Sequence, residues 1–402
     1  MRVRIQSGKA NGTVQAPPSK SMAHRYLIAA ALAEGKSLIT GVEYSQDILA
    51  TIDCLRALGV EIQCEGDRVC VTGAKDLVPR GELLCRESGS TLRFMVPLCL
   101  LSGRPATLMG SERLMERPLT VYETLCSERG FRFERTNGVI HLCGTLQSGR
   151  YTLDGSISSQ FITGMILALL KCEGESTLQL TGKVESRSYI DMTLSALREF
   201  GFAVEWQGES SLLIFGGCGK PRNLAVEGDY SNAAALEALN FLGGEVRVLG
   251  LKPDSLQGDR VYSEYFCKLK QGYATLSLAN CPDLGPILMA VAAALNGAHL
   301  TDTARLKIKE SDRGAAMAEE LQKCGVSVRL EENDIYVEGG RLKPSNVTFN
   351  SHNDHRIVMS MAVLCTLFGG EICGAEAVAK SMPTFFEKLL FLGIEVKIDE
   401  TE

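Results

Sequence analysis

Several stretches of the chain are almost entirely apolar, and each follows a cluster of polar or charged residues. The runs at 26–33, 161–170 and 288–295 are apolar on every helical face, which predicts helices buried in a core. The polar clusters favour helix starts, because Ser, Asp and Asn accept hydrogen bonds from the first N–H groups of a helix. Six such starts are predicted, at 19–25, 87–93, 156–160, 228–232, 282–285 and 353–356.

These helix starts suggest a chemistry as well as a fold. A helix N-terminus carries unpaired N–H groups and a partial positive charge, so several of them around one cleft would bind phosphate or carboxylate. Helix capping explains the Ser and Asp residues, but it does not explain the adjacent cations Lys20, Arg25, Arg93 and Arg356. The pattern therefore favours a site for small anions.

A second pattern occurs six times: the end of a helix, a glycine, and then an alternating strand. Glycine suits the left-handed position that ends a helix, and the alternation has the period of a half-buried strand. Gly59, Gly130 and Gly201 are evenly spaced, 71 residues apart, while the interval from Gly201 to Gly243 is shorter. We interpret this as a duplication with an irregular junction near residue 228. The remaining two glycines of the series are Gly325 and Gly393.

Amphipathic helices are predicted before most of these glycines. Each repeat then consists of a strand, an apolar helix, a strand, an amphipathic helix and two strands, and six repeats fit the 402 residues. A chain of this length predicts two domains. A solenoid is the alternative, but solenoid repeats are usually shorter. The clearest amphipathic helices are predicted at 47–58, 118–129, 188–200, 312–324 and 383–392.

Composition narrows the class of protein. Hydrophobic residues make up 45% and the formal net charge is -6, so general attraction to nucleic acid is not expected. The apolar runs are about half of the ~20 residues that span a bilayer. Residues 1–5 lack a secretory core, and the 14 cysteines include no C-x-x-C pair, so we expect a cytoplasmic protein with reduced thiols and no metal site.

Several short motifs bear candidate chemistry. Lys20 and Arg25 lie within about a turn of a helix start and suit phosphate and carboxylate, although a solvated basic turn is an equal alternative. Arg117 precedes Pro118, which we expect at the first position of a helix. Asp283 is by default a helix cap and otherwise a candidate base. Charge runs such as 309–313 are usually surface salt bridges.

Taken together and in order, these motifs resemble the EPSP synthase family of enolpyruvyl transferases over essentially the whole chain. The most specific pieces are Lys20-Ser21…Arg25, Glu116-Arg117-Pro118, Ser158-Ser159-Gln160-Phe161, 309–313, 353–356 and Lys380-Ser381-x-Pro383. The resemblance implies a mixed α/β (α+β) fold described as a two-domain inside-out α/β barrel with six βαβαββ repeats, three per domain. It implies domains at 1–18 with 228–402 and at 19–227, with the active site in the cleft between them.

The resemblance also implies an activity: transfer of the enolpyruvyl group of phosphoenolpyruvate to the 5-hydroxyl of shikimate 3-phosphate, through a tetrahedral intermediate, on the route to chorismate. It implies no cofactor, no metal, no nucleic acid or membrane partner, and a monomer. Gly89 is the unsubstituted form at a position that the family associates with sensitivity to glyphosate, so we expect inhibition competitive with phosphoenolpyruvate.

Residue roles follow from the resemblance by motif position. Asp283 is expected to accept a proton, and Glu310 to donate one with Lys20 as a possible partner. The carboxylate of phosphoenolpyruvate is expected at Arg313 and Arg356, and the remainder of that substrate at Lys20, Gly89, Arg117, Gln160 and Lys380. Shikimate 3-phosphate is expected at Lys20, Ser21, Arg25, Ser158, Ser159, Gln160, Ser186, Asp283 and Lys309.

Two rival functions share the repeat. The sister enzyme that transfers the same group to UDP-N-acetylglucosamine usually carries a reactive cysteine in a loop beside the donor, and the corresponding residues 110–113 contain none. RNA 3′-terminal phosphate cyclase would bind nucleic acid, but basic and aromatic residues are not interleaved here. Both rivals are therefore less favoured than the shikimate enzyme.

Overall fold

A computed structural model describes residues 1–340, 342–344 and 347–399. The chain divides into two compact units, which we call the C unit (Met1–Pro17 and Gly228–Glu402) and the N unit (Pro18–Glu227). Pro18 thus lies in the N unit. Among the described residues, no helix has both the length and the apolar character needed to cross a bilayer.

The elements are numbered in chain order. The strands are β1 Arg2–Ile5, β2 Asn11–Gln15, β3 Gly35–Thr40, β4 Glu61–Glu65, β5 Arg68–Gly73, β6 Leu83–Leu84, β7 Ala106–Met109, β8 Arg132–Thr136, β9 Val139–Cys143, β10 Arg150–Asp154, β11 Glu175–Thr181, β12 Ala203–Trp206, β13 Ser211–Phe215, β14 Asn223–Ala225, β15 Glu245–Leu249, β16 Ala274–Ser277, β17 Ala298–Thr301, β18 Val328–Leu330, β19 Asp334–Val337, β20 Thr348–Asn350, β21 Gly370–Cys373 and β22 Val396–Asp399. The α-helices are α1 Lys20–Leu32, α2 Gln46–Ala57, α3 Gly89–Cys99, α4 Glu112–Glu116, α5 Thr120–Arg129, α6 Ser159–Leu169, α7 Arg187–Glu199, α8 Tyr230–Phe241, α9 Tyr262–Gln271, α10 Gly285–Ala294, α11 Arg313–Gln322, α12 His355–Phe368 and α13 Phe385–Phe391. Short 3-10 helices cover Gly258–Val261, Pro282–Leu284, Ala304–Ile308 and Ala375–Lys380.

One sheet topology is repeated through both units. The four-stranded sheets β14-β3-β5-β4, β6-β7-β9-β8 and β10-β11-β13-β12 belong to the N unit, and β16-β17-β19-β18 and β20-β21-β1-β22 to the C unit. In each of them the first pair is parallel and the next two pairs are antiparallel. The mixed α/β class with repeated βαβαββ units is therefore confirmed, and the described strands form no closed barrel.

The repeat containing α8 is shorter than the others. It consists of β2, α8, β15 and α9, and β2 pairs only with β15 in a parallel two-stranded sheet. Gly243 follows the apolar helix α8, whereas Gly59, Gly130 and Gly201 follow the amphipathic helices α2, α5 and α7, so the interval from Gly201 to Gly243 is short because it lacks one strand and one helix. The C unit also takes its strand β1 from the start of the chain, where it completes the sheet of β20, β21 and β22.

The predicted helix ends are confirmed by the backbone. Gly130 adopts φ 67 directly after α5, and Gly201 adopts φ 76 after α7, in the left-handed region that glycine tolerates best. One predicted start is wrong: α5 begins at Thr120, so Pro118 is not its first residue. The residue before a proline avoids the helical region, and Arg117 is accordingly extended and ends α4 instead.

The apolar helices form the core of each unit, as their composition predicts. In α1 every residue from Met22 to Leu32 is buried, and α12 is buried from His355 to Thr366. Helices α3 and α6 approach closely at Gly164, where an added Cβ would lie 2.4 Å from the carbonyl oxygen of Arg93. The apolar stretches are buried in the core, so the polar and charged residues of these helices are found at their starts.

Candidate active site

In the N unit, the start of α1 is held against α2. Ser19 caps α1, and the next residue, Lys20, places its Nζ 2.7 Å from Oδ2 of Asp47. Both side chains are mostly buried, at 16% and 10% exposure, so the ion pair is partly shielded from solvent. Asp47 lies in the first turn of α2 and was not among the residues expected at the site.

A chain of buried hydrogen bonds continues from α1 to α3. Nδ1 of His24 lies 2.7 Å from the Thr51 hydroxyl, which lies 2.7 Å from the Thr91 hydroxyl, which in turn contacts the Oγ of the helix cap Ser88 at 2.8 Å. Burial, then the charges of Lys20 and Arg25, lower the pKa of His24 well below its usual value. His24 is therefore a neutral member of this network at physiological pH.

The start of α3 is packed against Arg117 and α6. An added Cβ on Gly89 would lie 2.6 Å from Nη1 of Arg117, so any side chain at this position would require the guanidinium to move. Gln160, in the first turn of α6, accepts a hydrogen bond from Nη1 of Arg93 at 2.5 Å and donates one to Ser90 at 2.8 Å. Gly89, Arg117 and Gln160 are thereby associated with the same pair of helix starts.

Arg25 connects α1 to α7. Its Nε donates to the Thr193 hydroxyl at 2.9 Å, and its two Nη atoms donate to the carbonyl oxygens of Ser21 and Tyr189 at 2.7 and 2.9 Å. Burial lowers the pKa of Arg25 to about 10, so the guanidinium is still charged at neutral pH. A buried cation is thus fixed near the start of α7.

Three serines expected at the site lie at two of these helix starts. Ser158 caps α6, and Ser159 is the first residue of that helix. Ser186 precedes α7 in a left-handed conformation with φ 53, which is uncommon for a residue with a side chain. Backbone strain of this kind often marks a functional position, and it was not visible in the sequence.

In the C unit, Arg313 is the centre of a dense ionic cluster at the start of α11. Its Nη1 lies 2.6 Å from Asp283, its Nη2 lies 2.7 Å from Glu310, and its Nε lies 2.8 Å from Asp354. The side chain is only 2% exposed. Burial lowers the pKa of Arg313, but the three carboxylates raise it by more, so it lies well above the usual value.

Asp283 is not a helix cap. Helix α10 has no side-chain cap, and Oδ1 of Asp283 instead contacts Arg313 and, at 3.1 Å, Nζ of Lys309. Burial raises the pKa of Asp283, but Lys309, Arg313 and Arg356 lower it by more, leaving it well below the usual value. Burial also lowers the pKa of Lys309, and Asp283 offsets only part of this effect. Asp283 is therefore an ionised carboxylate surrounded by cations.

Asp354 joins α11 to the start of α12 and was missed as a separate candidate. Oδ2 accepts from Nε of Arg313 and from the Ser311 hydroxyl at 3.1 Å, while Oδ1 caps α12 by accepting from the backbone N–H of Arg356 at 2.9 Å. Its side chain is fully buried. Its place in the 353–356 motif was the only sequence signal, and a cap was the ordinary interpretation.

The start of α8 is brought into the same cluster. Nη1 of Arg356 donates to the carbonyl oxygen of Ser231 at 2.8 Å, and the Asn232 amide donates to the Ser381 hydroxyl at 3.1 Å. Nζ of Lys380 donates to the carbonyl oxygen of Asn353 at 2.5 Å. The C-unit residues expected from the sequence therefore lie around the starts of α10, α11 and α12, and Lys380 reaches the last of these from the end of a 3-10 helix.

One group among the described residues could hold a metal ion: Glu319, Glu320 and His352. The carboxylate of Glu320 already accepts from Lys323 at 2.7 Å, from His352 at 2.7 Å and from the backbone N–H of Asn350 at 3.0 Å. These contacts satisfy a buried carboxylate without a metal, and we assign the group to a salt-bridge network.

A family model described as EPSP synthase (3-phosphoshikimate 1-carboxyvinyltransferase) matches residues 5–389. The chain belongs to the EPSP synthase family. The resemblance inferred from the motifs is thereby confirmed.

Relatives with the name 3-phosphoshikimate 1-carboxyvinyltransferase include proteins of Clostridium kluyveri, 37% identical over 98% of both chains, and Clostridium beijerinckii, 36% identical over 97% of both. Among solved structures, the EPSP synthase of Acinetobacter baumannii matches with a TM-score of 0.78 and 26% identity, covering 99% of this chain and 100% of that one. The enolpyruvyl transferase NikO of Streptomyces tendae also has a TM-score of 0.78, but at 15% identity it supports the fold alone.

Proposed function

We propose that this protein is an enzyme that transfers the enolpyruvyl group of phosphoenolpyruvate to the 5-hydroxyl of shikimate 3-phosphate, releasing phosphate, in the shikimate pathway to chorismate. The observation that carries the proposal is the family match, which extends over nearly the whole chain together with relatives of that name. The buried cations at helix starts in each unit support it, because both substrates are small polyanions.

In the C unit we assign Arg313 and Arg356 to the carboxylate of phosphoenolpyruvate, Lys380 to its phosphate side, and Lys309 to shikimate 3-phosphate. Asp283 accepts the proton of the 5-hydroxyl as that oxygen bonds to C2 of phosphoenolpyruvate. Its depressed pKa keeps it ionised and able to accept at neutral pH. Glu310 supplies the proton that C3 gains. The Glu310 carboxylate then removes a proton from C3 as the bond from C2 to the phosphate oxygen breaks, which restores the double bond, and the departing phosphate takes the proton held by Asp283.

In the N unit we assign four residues to the phosphate side of phosphoenolpyruvate and five to shikimate 3-phosphate. Fixed N–H groups and cations at helix starts stabilise charge as it develops, without the reorganisation that water would need. The first set is Lys20, Gly89, Arg117 and Gln160, and the second is Ser21 and Arg25 for the carboxylate with Ser158, Ser159 and Ser186 for the phosphate.

Phosphate release tests the proposal. Release is expected only when phosphoenolpyruvate and shikimate 3-phosphate are both present, and not when UDP-N-acetylglucosamine replaces the acceptor. Lys20→Met should reduce kcat/KM by about 100-fold or more, since a charge contact to the departing phosphate is lost. Lys75→Met, a lysine outside the proposed site, is the control and should keep wild-type activity. Turnover with UDP-N-acetylglucosamine and not with shikimate 3-phosphate would assign the chain to the sister activity.

We also propose that glyphosate inhibits the enzyme in competition with phosphoenolpyruvate, and that the enzyme works in the cytoplasm. All fourteen cysteines fall within the described residues and are free, as expected in a reducing compartment. An inhibition pattern that is not competitive with phosphoenolpyruvate would contradict the first of these assignments.

A further inference from the structure

Two consecutive residues before α12 have an uncommon backbone conformation. His352 and Asn353 adopt φ 48 and φ 52, in the left-handed region that residues with a side chain rarely occupy. A chain keeps such a conformation only where surrounding contacts hold it, and these positions are most frequent at functional sites. Asp354, the cap of α12, follows directly. The segment 350–354, which we call the 350–354 turn, therefore leads into the candidate site.

Helix α11 holds this turn at two points. At the start of the helix, Nε of Arg313 donates to Asp354 at 2.8 Å, at the end of the turn. Seven residues later, Glu320 accepts from the backbone N–H of Asn350 at 3.0 Å and lies 2.7 Å from Nε2 of His352. Residues seven apart lie on one face of a helix, so a single face of α11 fixes both ends of the turn.

The carboxylate of Glu320 is fully buried, although it lies two turns away from the start of its helix. It also accepts from Nζ of Lys323 at 2.7 Å. Three donors therefore converge on it, two of them from the 350–354 turn. Hydrogen bonds to a charged group are stronger than those between neutral groups. We expect that the turn moves when this carboxylate is removed.

The same turn carries two contacts of the candidate site. The carbonyl oxygen of Asn353 accepts from Nζ of Lys380 at 2.5 Å, and Oδ1 of Asp354 accepts from the backbone N–H of Arg356 at 2.9 Å. Lys380 and Arg356 are the cations assigned above to the phosphate side and to the carboxylate of phosphoenolpyruvate. A shift of the turn would therefore displace both of these cations.

We infer that Glu320 is a positioning residue for the binding of phosphoenolpyruvate. It fixes the 350–354 turn, and through that turn it holds Lys380 and Arg356 in place. The inference rests on the proposed function of this site. Helix α11 then has two roles, because it provides Arg313 for the substrate and, two turns later, the carboxylate that positions the other two cations.

The inference predicts an effect on one substrate only. The 350–354 turn contacts residues assigned to phosphoenolpyruvate. Shikimate 3-phosphate is assigned instead to Lys309 and to residues of the N unit. Loss of the Glu320 carboxylate should therefore weaken the binding of phosphoenolpyruvate and leave the binding of shikimate 3-phosphate unchanged, whereas general damage to the fold would weaken both.

Steady-state kinetics of Glu320→Gln test this selectivity. The amide keeps the size of the side chain but removes its charge and one acceptor oxygen. We expect KM for phosphoenolpyruvate to rise about tenfold and kcat to fall less than about threefold, with the Kd of shikimate 3-phosphate alone changed less than about twofold. Glu319→Gln, which changes the exposed neighbouring glutamate, is the matched control and should keep the wild-type KM.

His352→Asn is a second variant, which avoids leaving a buried group without its partner if Glu320→Gln does not fold. Asparagine tolerates the left-handed conformation, and its shorter side chain withdraws the donor from Glu320. We expect KM for phosphoenolpyruvate to rise about threefold, since Asn350 and Lys323 still hold the carboxylate. Circular dichroism and thermal unfolding establish that each variant is folded before the kinetic constants are compared.

A double-mutant cycle tests whether Glu320 acts through Lys380. In a Lys380→Met background, Glu320→Gln should raise KM at most about threefold instead of about tenfold, because the cation that it positions is already absent. Equal factors in the two backgrounds overturn the inference. A wild-type KM in either folded variant, or an equal loss of affinity for both substrates, also overturns it.

The proposed function is tested separately by the wild-type enzyme. If that enzyme releases phosphate normally when both substrates are present, a negative result with the Glu320 and His352 variants leaves the proposed function intact. A wild-type enzyme that releases no phosphate with both substrates would instead overturn the function itself.

Discussion

Gly89 and Arg117 approach so closely that a single methyl group does not fit between them: a Cβ on Gly89 would lie 2.6 Å from Nη1 and 2.9 Å from Cζ of Arg117. Gly89→Ala must therefore move the guanidinium. We expect KM for phosphoenolpyruvate to rise about tenfold, which corresponds to about 1.4 kcal/mol of binding energy. Steady-state kinetics at varied phosphoenolpyruvate give this value.

Gly81→Ala is the matched control for that substitution, because nothing lies within 4 Å of a Cβ at Gly81. It should leave KM unchanged. The melting temperature of Gly89→Ala should also stay near wild type, since the colliding group is the mobile end of a side chain. An unchanged KM in Gly89→Ala would show that Arg117 does not contact this substrate.

The Asp354 carboxylate positions Arg313 and the backbone of Arg356, so removing its charge should weaken the binding of phosphoenolpyruvate. In Asp354→Asn the amide loses the negative charge and places N–H groups toward the guanidinium. We expect KM for phosphoenolpyruvate to rise about 10- to 100-fold, with a smaller fall in kcat. Ser311→Ala removes one neutral hydrogen bond to the same carboxylate and should raise KM only a few-fold. Equal effects of the two substitutions would contradict the assignment.

The environment of Asp283 predicts how stability depends on pH. Its pKa in the folded protein is below the unfolded value of about 3.9, so its contribution to stability is present above about pH 4 and is lost as the pH falls through the folded pKa. Asp283→Asn should therefore lower the free energy of unfolding at pH 7, and the gap to wild type should narrow below about pH 4.

Urea unfolding at several pH values measures this gap. Asp254→Asn changes an exposed carboxylate and should give no gap at any pH. If the difference in free energy of unfolding between wild type and Asp283→Asn is constant from neutral to acidic pH, the cationic neighbours do not lower the pKa of Asp283.

Tyr122 supports the contact between α3 and α6 in the N unit. Its buried hydroxyl donates to the carbonyl oxygen of Arg93 at 2.6 Å. Tyr122→Phe leaves that oxygen without this donor and should cost about 1–2 kcal/mol of stability, or a fall in melting temperature of about 2–8 °C. Tyr44→Phe removes an exposed hydroxyl bonded to the Arg68 carbonyl oxygen and should change the melting temperature little. Similar losses in both variants would argue against the role of Tyr122.

Much of the fold was predictable because its signals are local. A cap such as Ser88 and a helix-ending glycine such as Gly130 act within a few residues, so composition and spacing reveal them. These local signals also give the positions at which each repeat unit begins and ends. The predicted start of α5 was wrong because Pro118 lies in the link between α4 and α5, and the helix begins two residues later, at Thr120. The pairing of β2 with β15 was not predictable, since strands from distant parts of the chain meet there.

The sequence predicted which residues belong to the candidate site, but it did not predict the ion pairs and hydrogen bonds that connect them. The motifs place Arg313 and Glu310 three residues apart in one segment, which keeps them close in space. The contacts of Arg313 with Asp283 and Asp354 join residues 30 and 41 positions apart, and only the packed fold brings them together. For the same reason Asp47 was not recognised as the partner of Lys20.

Strand β1 lies between β21 and β22, which are synthesised almost a whole chain length later. At a translation rate of roughly 5–20 residues per second, its backbone donors and acceptors wait about 20–80 s on the ribosome for their neighbours. All strands of the N unit emerge well before that time. The first residues to be synthesised are thus among the last to pair in a sheet, and β1 is an unpaired strand that chaperones can bind throughout this interval.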